Sequence, residues 1–389
     1  MPANGHALLS ASSAHRWLEC PPSVKLTADI PDTAGEAAAE GTLAHSIVEE
    51  RLDSIIEKGK WPKKASAKLR MDERYRPVME EHADTMVGYV MEIYDRLADE
   101  GRDPMLMSEQ RLDFSRWVPD GFGTGDALVV ADGVIHVIDY KYGKGVPVFA
   151  EGNPQLRLYA LGAYEAYDAL YDIHEVHTHI VQPRLDSLTS ETLTAEELLK
   201  WADGYVAPRA QLAISGSGDM HPGEWCRFCK VRATCRARAE QQLSLARYEF
   251  QSPLLLTPEE IGDILGRVDE MTKWGKSVKD YALQASVSNN ETFPGWKLVR
   301  GRANRKLTDE EEVAEILLEQ GFQPSQIFSL KGLTDLEEVV GKKQLADLLG
   351  DRIIKPEGRP TLAPETDRRQ AITRSAADDF ADDYKDEEN

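Results

Sequence analysis

The chain has 389 residues, 41% of them apolar and 29% charged, enough for one large elaborated domain or two. Its formal net charge of −21 gives no global pull toward nucleic acid, so such contact has to come from local basic patches or bound cations. No apolar run is long enough for a membrane-spanning helix, and "MPANGHALLSASSAHRW" lacks the basic start and apolar core of a secretory leader, which predicts a cytoplasmic protein with no membrane partner.

In chain order, residues 34–57 predict a long helix with an apolar stripe of Ala37, Ala44, Ile47, Val48 and Leu52. Gly41 in its interior costs helix stability and predicts close packing there. A basic connection over 58–76 leads to a second helix at about 74–99. "PMLMSEQRLDF" (104–114) predicts a strand. Val129–Val130 and Val134–Ile138 flank Asp132–Gly133, a signal for a two-residue type I′ hairpin. In that register Val129 faces His136 and Asp126 faces Asp139, with Lys141 on the same face as Asp139. Asn153 as N-cap and Pro154 at the first position start another helix, 175–183 predicts a strand, and 194–214 a helix. Helix, three strands, helix, strand is the order of an α/β core with a mixed sheet.

Beyond about 254 the pattern turns helical, beginning with "TPEEIGDILGRVDEMTKWGKSVKDYALQASV". "PGWKLVRGRANR" reads as a strand with a basic end, and Thr308 with Glu311 as a capping box before further helices to about 350. "KPEGRPTLAPETDRRQ" reads as extended, and "AADDFADDYKDEEN", with seven acids and one lysine, as a disordered tail. The predicted units are 1–250, 251–355 and 356–389.

Two acids facing each other across a strand pair repel, and a divalent cation between Asp126 and Asp139 would remove that repulsion. Lys141 beside them suits stabilisation of charge on a transferring phosphoryl group. Glu109 on the preceding strand is a further acid. Gln155 and Tyr159, at i and i+4, project from one helix face. Of the four cysteines, Cys226, Cys229 and Cys235 fall within ten residues and Cys20 lies far upstream. Four thiols match the need of either a tetrahedral zinc or an iron–sulfur cluster. Three basic patches offer DNA contacts: Lys58, Lys60, Lys63, Lys64, Lys68 and Arg70; Arg227, Lys230, Arg232 and Arg236; and Trp296, Lys297, Arg300, Arg302, Arg305 and Lys306.

Gly41-x3-His45, Gly123-x2-Asp126, Asp139-x-Lys141 and Gln155-x3-Tyr159, in that order, resemble the motif series of RecB-like nucleases of the PD-(D/E)XK superfamily. "SASSAHRWLECP" and Cys226-x2-Cys229-x5-Cys235 resemble the cysteine segments of AddB-type and CRISPR-associated RecB-like exonucleases. The resemblance covers about residues 8–240, and the whole chain also resembles a family of phage and prophage proteins of unassigned function. It implies a PD-(D/E)XK core with a helical C-terminal extension, and an exonuclease hydrolysing DNA, single-stranded or at duplex ends, with a phage recombination or replication protein as its partner. It implies Mg²⁺ or Mn²⁺ held by His45, Asp126, Asp139 and the Tyr140 carbonyl, with Lys141, Gln155 and Tyr159 completing the catalytic set. Cys20, Cys226, Cys229 and Cys235 would hold a 4Fe–4S cluster, with Zn²⁺ as the alternative. No G-x4-G-K-S/T helicase motif accompanies them. A non-catalytic DNA-end-binding protein that retains the fold is the rival expectation.

Overall fold

The computed structural model describes residues 7–31, 36–244, 256–299, 309–354 and 370. Two short helices, α1 (Ala14–Glu19) and α2 (Ser23–Thr27), precede the long α3 (Glu36–Lys58). A short α4 (Ala67–Arg70) and then α5 (Val78–Asp99) lead into the strands β1 (Met105–Asp113), β2 (Phe122–Ala131) and β3 (Val134–Tyr140). Helix α6 (Pro154–Tyr171) crosses over to β4 (Glu175–Gln182), and β5 (Ser187–Thr194) follows. The sheet order is β1-β2-β3-β4-β5, with β3 and β4 parallel and every other pair antiparallel. The architecture is mixed α/β, as the sequence predicts. It has one strand more than expected, because β5, "SLTSETLT", is a half-polar edge strand with few apolar residues.

The sheet is covered on both faces. Leu43, Ala44, Ile47, Val48 and Leu52 of α3 pack with α5 against Ala127, Val129, Val134, Ile138 and Tyr140. Leu156, Leu158, Leu161 and Ala163 of α6, with Trp17 and Leu18 of α1, pack against Leu128, Val130, Ile135 and Val137. This two-sided burial makes β2 and β3 read as continuous apolar runs. Helix α6 starts as its sequence dictates. The Asn153 side chain accepts from the amides of Gln155 and Leu156, which satisfies two donors that a helix start leaves unpaired. Asp172, in the left-handed region at φ 47°, ends it.

After β5 come α7 (Ala195–Trp201), a π-helical turn (Ala202–Val206) and α8 (Ala207–Ser215), which together occupy the predicted 194–214 helix. Thr194 caps this run, accepting from the Glu197 amide. Helix α9 (Arg236–Leu243) follows the cysteines. The C-terminal extension comprises α10 (Pro258–Asn289), α11 (Glu310–Glu319), α12 (Pro324–Ile327), α13 (Leu333–Val340) and α14 (Lys342–Leu349). Among the described residues beyond 244, only Ala285, Gly341 and Leu345 are buried.

Four local expectations change. Residues 294–299 form no strand, and 300–308, including Arg300, Arg302, Arg305, Lys306 and Thr308, lie outside the described residues. Asp309 caps α11, accepting from Glu311 and Glu312, because its side chain reaches both amides. At Asp132–Gly133 only Gly133 has positive φ, 79°, so the two-residue turn is not type I′, which needs positive φ at both positions. A Cβ at Gly41 would meet nothing within 4 Å, so no close packing demands that glycine. The extended and acidic segments predicted at the C-terminus fall outside the described residues, apart from Gln370.

Candidate functional site

The β2–β3 ladder follows the predicted register, with Ala131 opposite Val134 and Val129 opposite His136. It stops at Ala127–Ile138, one rung before the expected Asp126–Asp139 pair. The Tyr140 amide donates instead to Asp126 Oδ2 at 2.6 Å. On the other side of β2, Ser108 pairs with Ala127 and Gln110 with Gly125, while the rung between them, Glu109 opposite Asp126, is unpaired. Glu109 has φ 43°.

Both strands change face across that rung. Met107 and Leu112 pack on the α6 side although they lie five residues apart, an odd spacing that strict alternation would put on opposite faces. On β2, Leu128 faces the same layer, and so does Gly123, whose added Cβ would fall 2.5 Å from Cε1 of Tyr159 on α6. Side chains from both helical layers therefore meet here: His45 from α3, and Gln155 and Tyr159 from α6.

His45 Nδ1 lies 3.0 Å from Asp126 Oδ1. Ligand atoms of His45, Glu109 and Asp126 all lie within 4.8 Å of one another, the one such group of His, Cys, Asp or Glu among the described residues. Glu109, a secondary acid in the sequence reading, thus takes a place expected of Asp139. Asp139 sits on the neighbouring wall. Its Oδ2 is 2.9 Å from Lys141 Nζ, at ion-pair distance but outside hydrogen-bond alignment. Its Oδ1 accepts from Gln155 Nε2 at 3.2 Å. Gln155 Oε1 accepts from Lys141 Nζ at 3.2 Å, and its Nε2 also donates to Tyr159 Oη at 3.1 Å. One amide thus fixes the lysine, the aspartate and the tyrosine.

Burial pushes the Glu109 carboxyl up, and Asp126, Glu49 and Asp53 add to it, carrying it to about 7. Burial raises Asp139 as well, with Asp126 adding and Lys141 opposing. Burial pulls Lys141 down, but the charges of Asp139 and Asp126 outweigh it and hold the ammonium charged. His45 follows the same balance, pulled down by burial and lifted above its usual value by Asp126 and Asp139. Glu49 and Asp53, one and two turns after His45 on α3, thicken the negative charge, and neither stands out in the sequence. Glu109 and Asp139 carboxyls pushed up by burial and by the Asp126 charge, beside an imidazole and with a buried Asp139 oxygen lacking an aligned hydrogen bond, fit a hard divalent cation.

Cys20, Cys226, Cys229 and Cys235 line one cavity of about 20 Å³, so the fold brings the distant Cys20 to the C-terminal triplet. No three of their sulfurs fall within 4.8 Å, so they are not gathered into a closed ligand set. Burial raises the Cys20 and Cys226 thiols, and neutral thiols have no charge-driven reason to converge. Of the basic patches, Lys58, Lys60, Lys63, Lys64, Lys68 and Arg70 are exposed, as are Arg227, Arg232, Arg236, Trp296 and Lys297. Lys230 is half-buried and donates to the Ile30 carbonyl. No described helix is long and apolar enough to cross a membrane.

The solved structure of SSO0001 aligns with 50% of this chain and 95% of its own, at 12% identity and a TM-score of 0.23, a similarity too low to bear on fold or function. The family model described as a protein of unknown function, DUF2800, matches residues 6–370. With the match spanning nearly the whole chain, this protein belongs to the DUF2800 family.

Proposed function

We propose that this chain is a divalent-metal-dependent deoxyribonuclease with a PD-(D/E)XK-type core. One observation carries the reading: a half-buried, charged lysine paired to Asp139 and fixed by Gln155 sits beside the His45–Glu109–Asp126 group. A structural ion pair needs no imidazole and no second pair of acids next to it. His45, Glu109 and Asp126 would hold Mg²⁺ or Mn²⁺, with Asp139 close by. The imidazole favours Mn²⁺. The cation supplies Lewis acidity toward a phosphodiester and acidifies water. Lys141 offers a fixed positive charge to a phosphoryl group as negative charge builds on it. Gln155 holds Lys141 in reach, and Tyr159 closes the site on the α6 side. The exposed lysines and arginines supply phosphate contacts that the net charge of −21 does not.

The four cysteines fit a metal–thiolate centre in the same reading, either 4Fe–4S or Zn²⁺. They share one cavity, and no carboxylate lines it. Such a centre would tie the N-terminal segment to the end of the core, a staple of the kind that replaces core burial.

The test is incubation of the anaerobically purified full-length chain with end-labelled single- and double-stranded DNA in Mn²⁺, Mg²⁺ or EDTA. The expected result is degradation in the cations and none in EDTA. A folded protein that leaves both substrates intact in both metals would overturn the nuclease reading.

A further inference from the structure

The cysteine cavity carries three arginines on its wall, Arg16, Arg232 and Arg238. Two are occupied. Arg16 Nη1 donates to Thr27 Oγ1 at 3.1 Å and to Ser23 at 3.3 Å. Arg232 donates to the Cys229 carbonyl at 3.4 Å and to Ser277 Oγ at 3.3 Å. Arg238 differs. Its side chain is 4% exposed, and neither Nε nor Nη1 has a hydrogen-bond partner among the described residues. Among the described residues its nearest acid is Glu270, 3.6 Å from Nη2, beyond hydrogen-bond distance.

A buried guanidinium with two unmade hydrogen bonds bears the desolvation cost of both donors uncompensated. Arg238 also lies three residues after Cys235, the N-cap of α9, so both sit near one face at the start of that helix. Neutral thiols are poor acceptors for it. Thiolates are not, and four of them around a dicationic ion or cluster core leave two negative charges. Burial pushes the Cys226 thiol up, while the Gly223 amide and the Arg238 charge pull it down.

We propose that Arg238 is the counter-charge and hydrogen-bond donor of a metal–thiolate centre held by Cys20, Cys226, Cys229 and Cys235. It acts on the ligand sulfurs rather than on the metal, as a positioning residue, and the inference rests on the reading of the cysteines given above. Hydrogen bonds and positive charge at cluster sulfurs favour the more negative, reduced form and so raise its reduction potential.

The experiment uses the full-length chain, purified anaerobically, as wild type, Arg238→Gln, Arg238→Lys and Glu270→Gln. Iron, sulfide and zinc are counted first, and circular dichroism checks the fold. With iron and sulfide bound, Arg238→Gln is expected to keep its cluster but shift the redox equilibrium at least tenfold toward the oxidised form. That is about 59 mV lower for a one-electron couple. Glu270→Gln is expected to leave the potential in place, which separates a charge on the centre from a mere tether between α9 and α10. With zinc bound instead, the same variants are read by zinc loss to a chelator, at least tenfold faster in Arg238→Gln and unchanged in Glu270→Gln. If Arg238→Gln does not fold, Arg238→Lys, which keeps the charge and loses the planar fork, is expected to show a smaller shift in the same direction. A loaded Arg238 variant with wild-type potential or zinc retention would overturn the proposal and leave the cysteine reading standing. A wild-type chain with no metal would overturn both.

Discussion

Glu109 and Gln155 are the residues around which the site is organised. Glu109 stands opposite Asp126 on an unpaired rung, in a backbone conformation that a non-glycine residue seldom adopts. Strain at a rung that also reverses the facing of two strands is expected where function fixes the geometry. Replacing Glu109 with Gln removes one charge from the His45–Glu109–Asp126 group. Mn²⁺ affinity, measured from the EPR signal of free Mn²⁺, is expected to fall about tenfold, the size of a metal-site perturbation; unchanged affinity would remove Glu109 from the ligand set. The two motif glycines make opposite predictions. Gly123→Ala places a methyl group against the Tyr159 ring and is expected to cost about 1–3 kcal/mol in urea unfolding. Gly41→Ala meets open space inside a helix and is expected to stabilise by about 0.5–1 kcal/mol. Spacing shows both glycines equally, and only packing tells them apart.

At the scale of elements, the helices and the hairpin were legible because their signals are local. Asn153–Pro154 marks the start of α6, and Asp132–Gly133 marks the turn with its register. The end of the ladder before Asp126 was not legible, because it depends on the Tyr140 amide choosing a carboxylate over a strand partner. β5 carries no sequence signal of a strand, because a Ser/Thr-rich edge strand has no apolar stripe. The elements also carry a cluster that no motif announced. His136 on β3 stacks on His177 of β4, with ring centroids 4.4 Å apart, and its Nδ1 is 3.0 Å from His179 Nε2. Tyr89 Oη lies 2.9 Å from His179 Nδ1. Burial, with nearby His177 and Arg96, pulls His136 down to about 2 and His179 to about 3. Between the ordinary histidine value and these, the unfolded chain binds protons that the folded one does not. Stability therefore falls as pH drops below about 6.5, by up to about 1.4 kcal/mol per pH unit for each histidine. Urea unfolding from pH 7 to 5 should show this loss, and His179→Gln should reduce its slope; a flat profile would contradict it.

At the scale of the whole molecule, both hydrophobic clusters are built from residues before 244, and among the described residues the C-terminal helices bury only Ala285 and Leu345. A chain ending at residue 250 is expected to unfold cooperatively, with a Tm within about 5 °C of the full chain. Loss of cooperative unfolding would show that the extension is part of the core. The layered α/β plan could be read from the sequence, and so could the gathering of His45, Asp126, Asp139, Lys141, Gln155 and Tyr159 in one region. Which acids lie close enough to His45 to form one ligand group could not, because that depends on the face reversal at Glu109. The central claim is that this region hydrolyses DNA with a divalent cation. Its most direct test is single-turnover cleavage of end-labelled DNA in Mn²⁺ by wild type, Asp126→Asn and Lys141→Met, each checked for fold by circular dichroism. The account predicts cleavage by wild type and a loss of about 10²–10³ or more in each variant. Cleavage at the wild-type rate by either folded variant, or none by wild type, would contradict it.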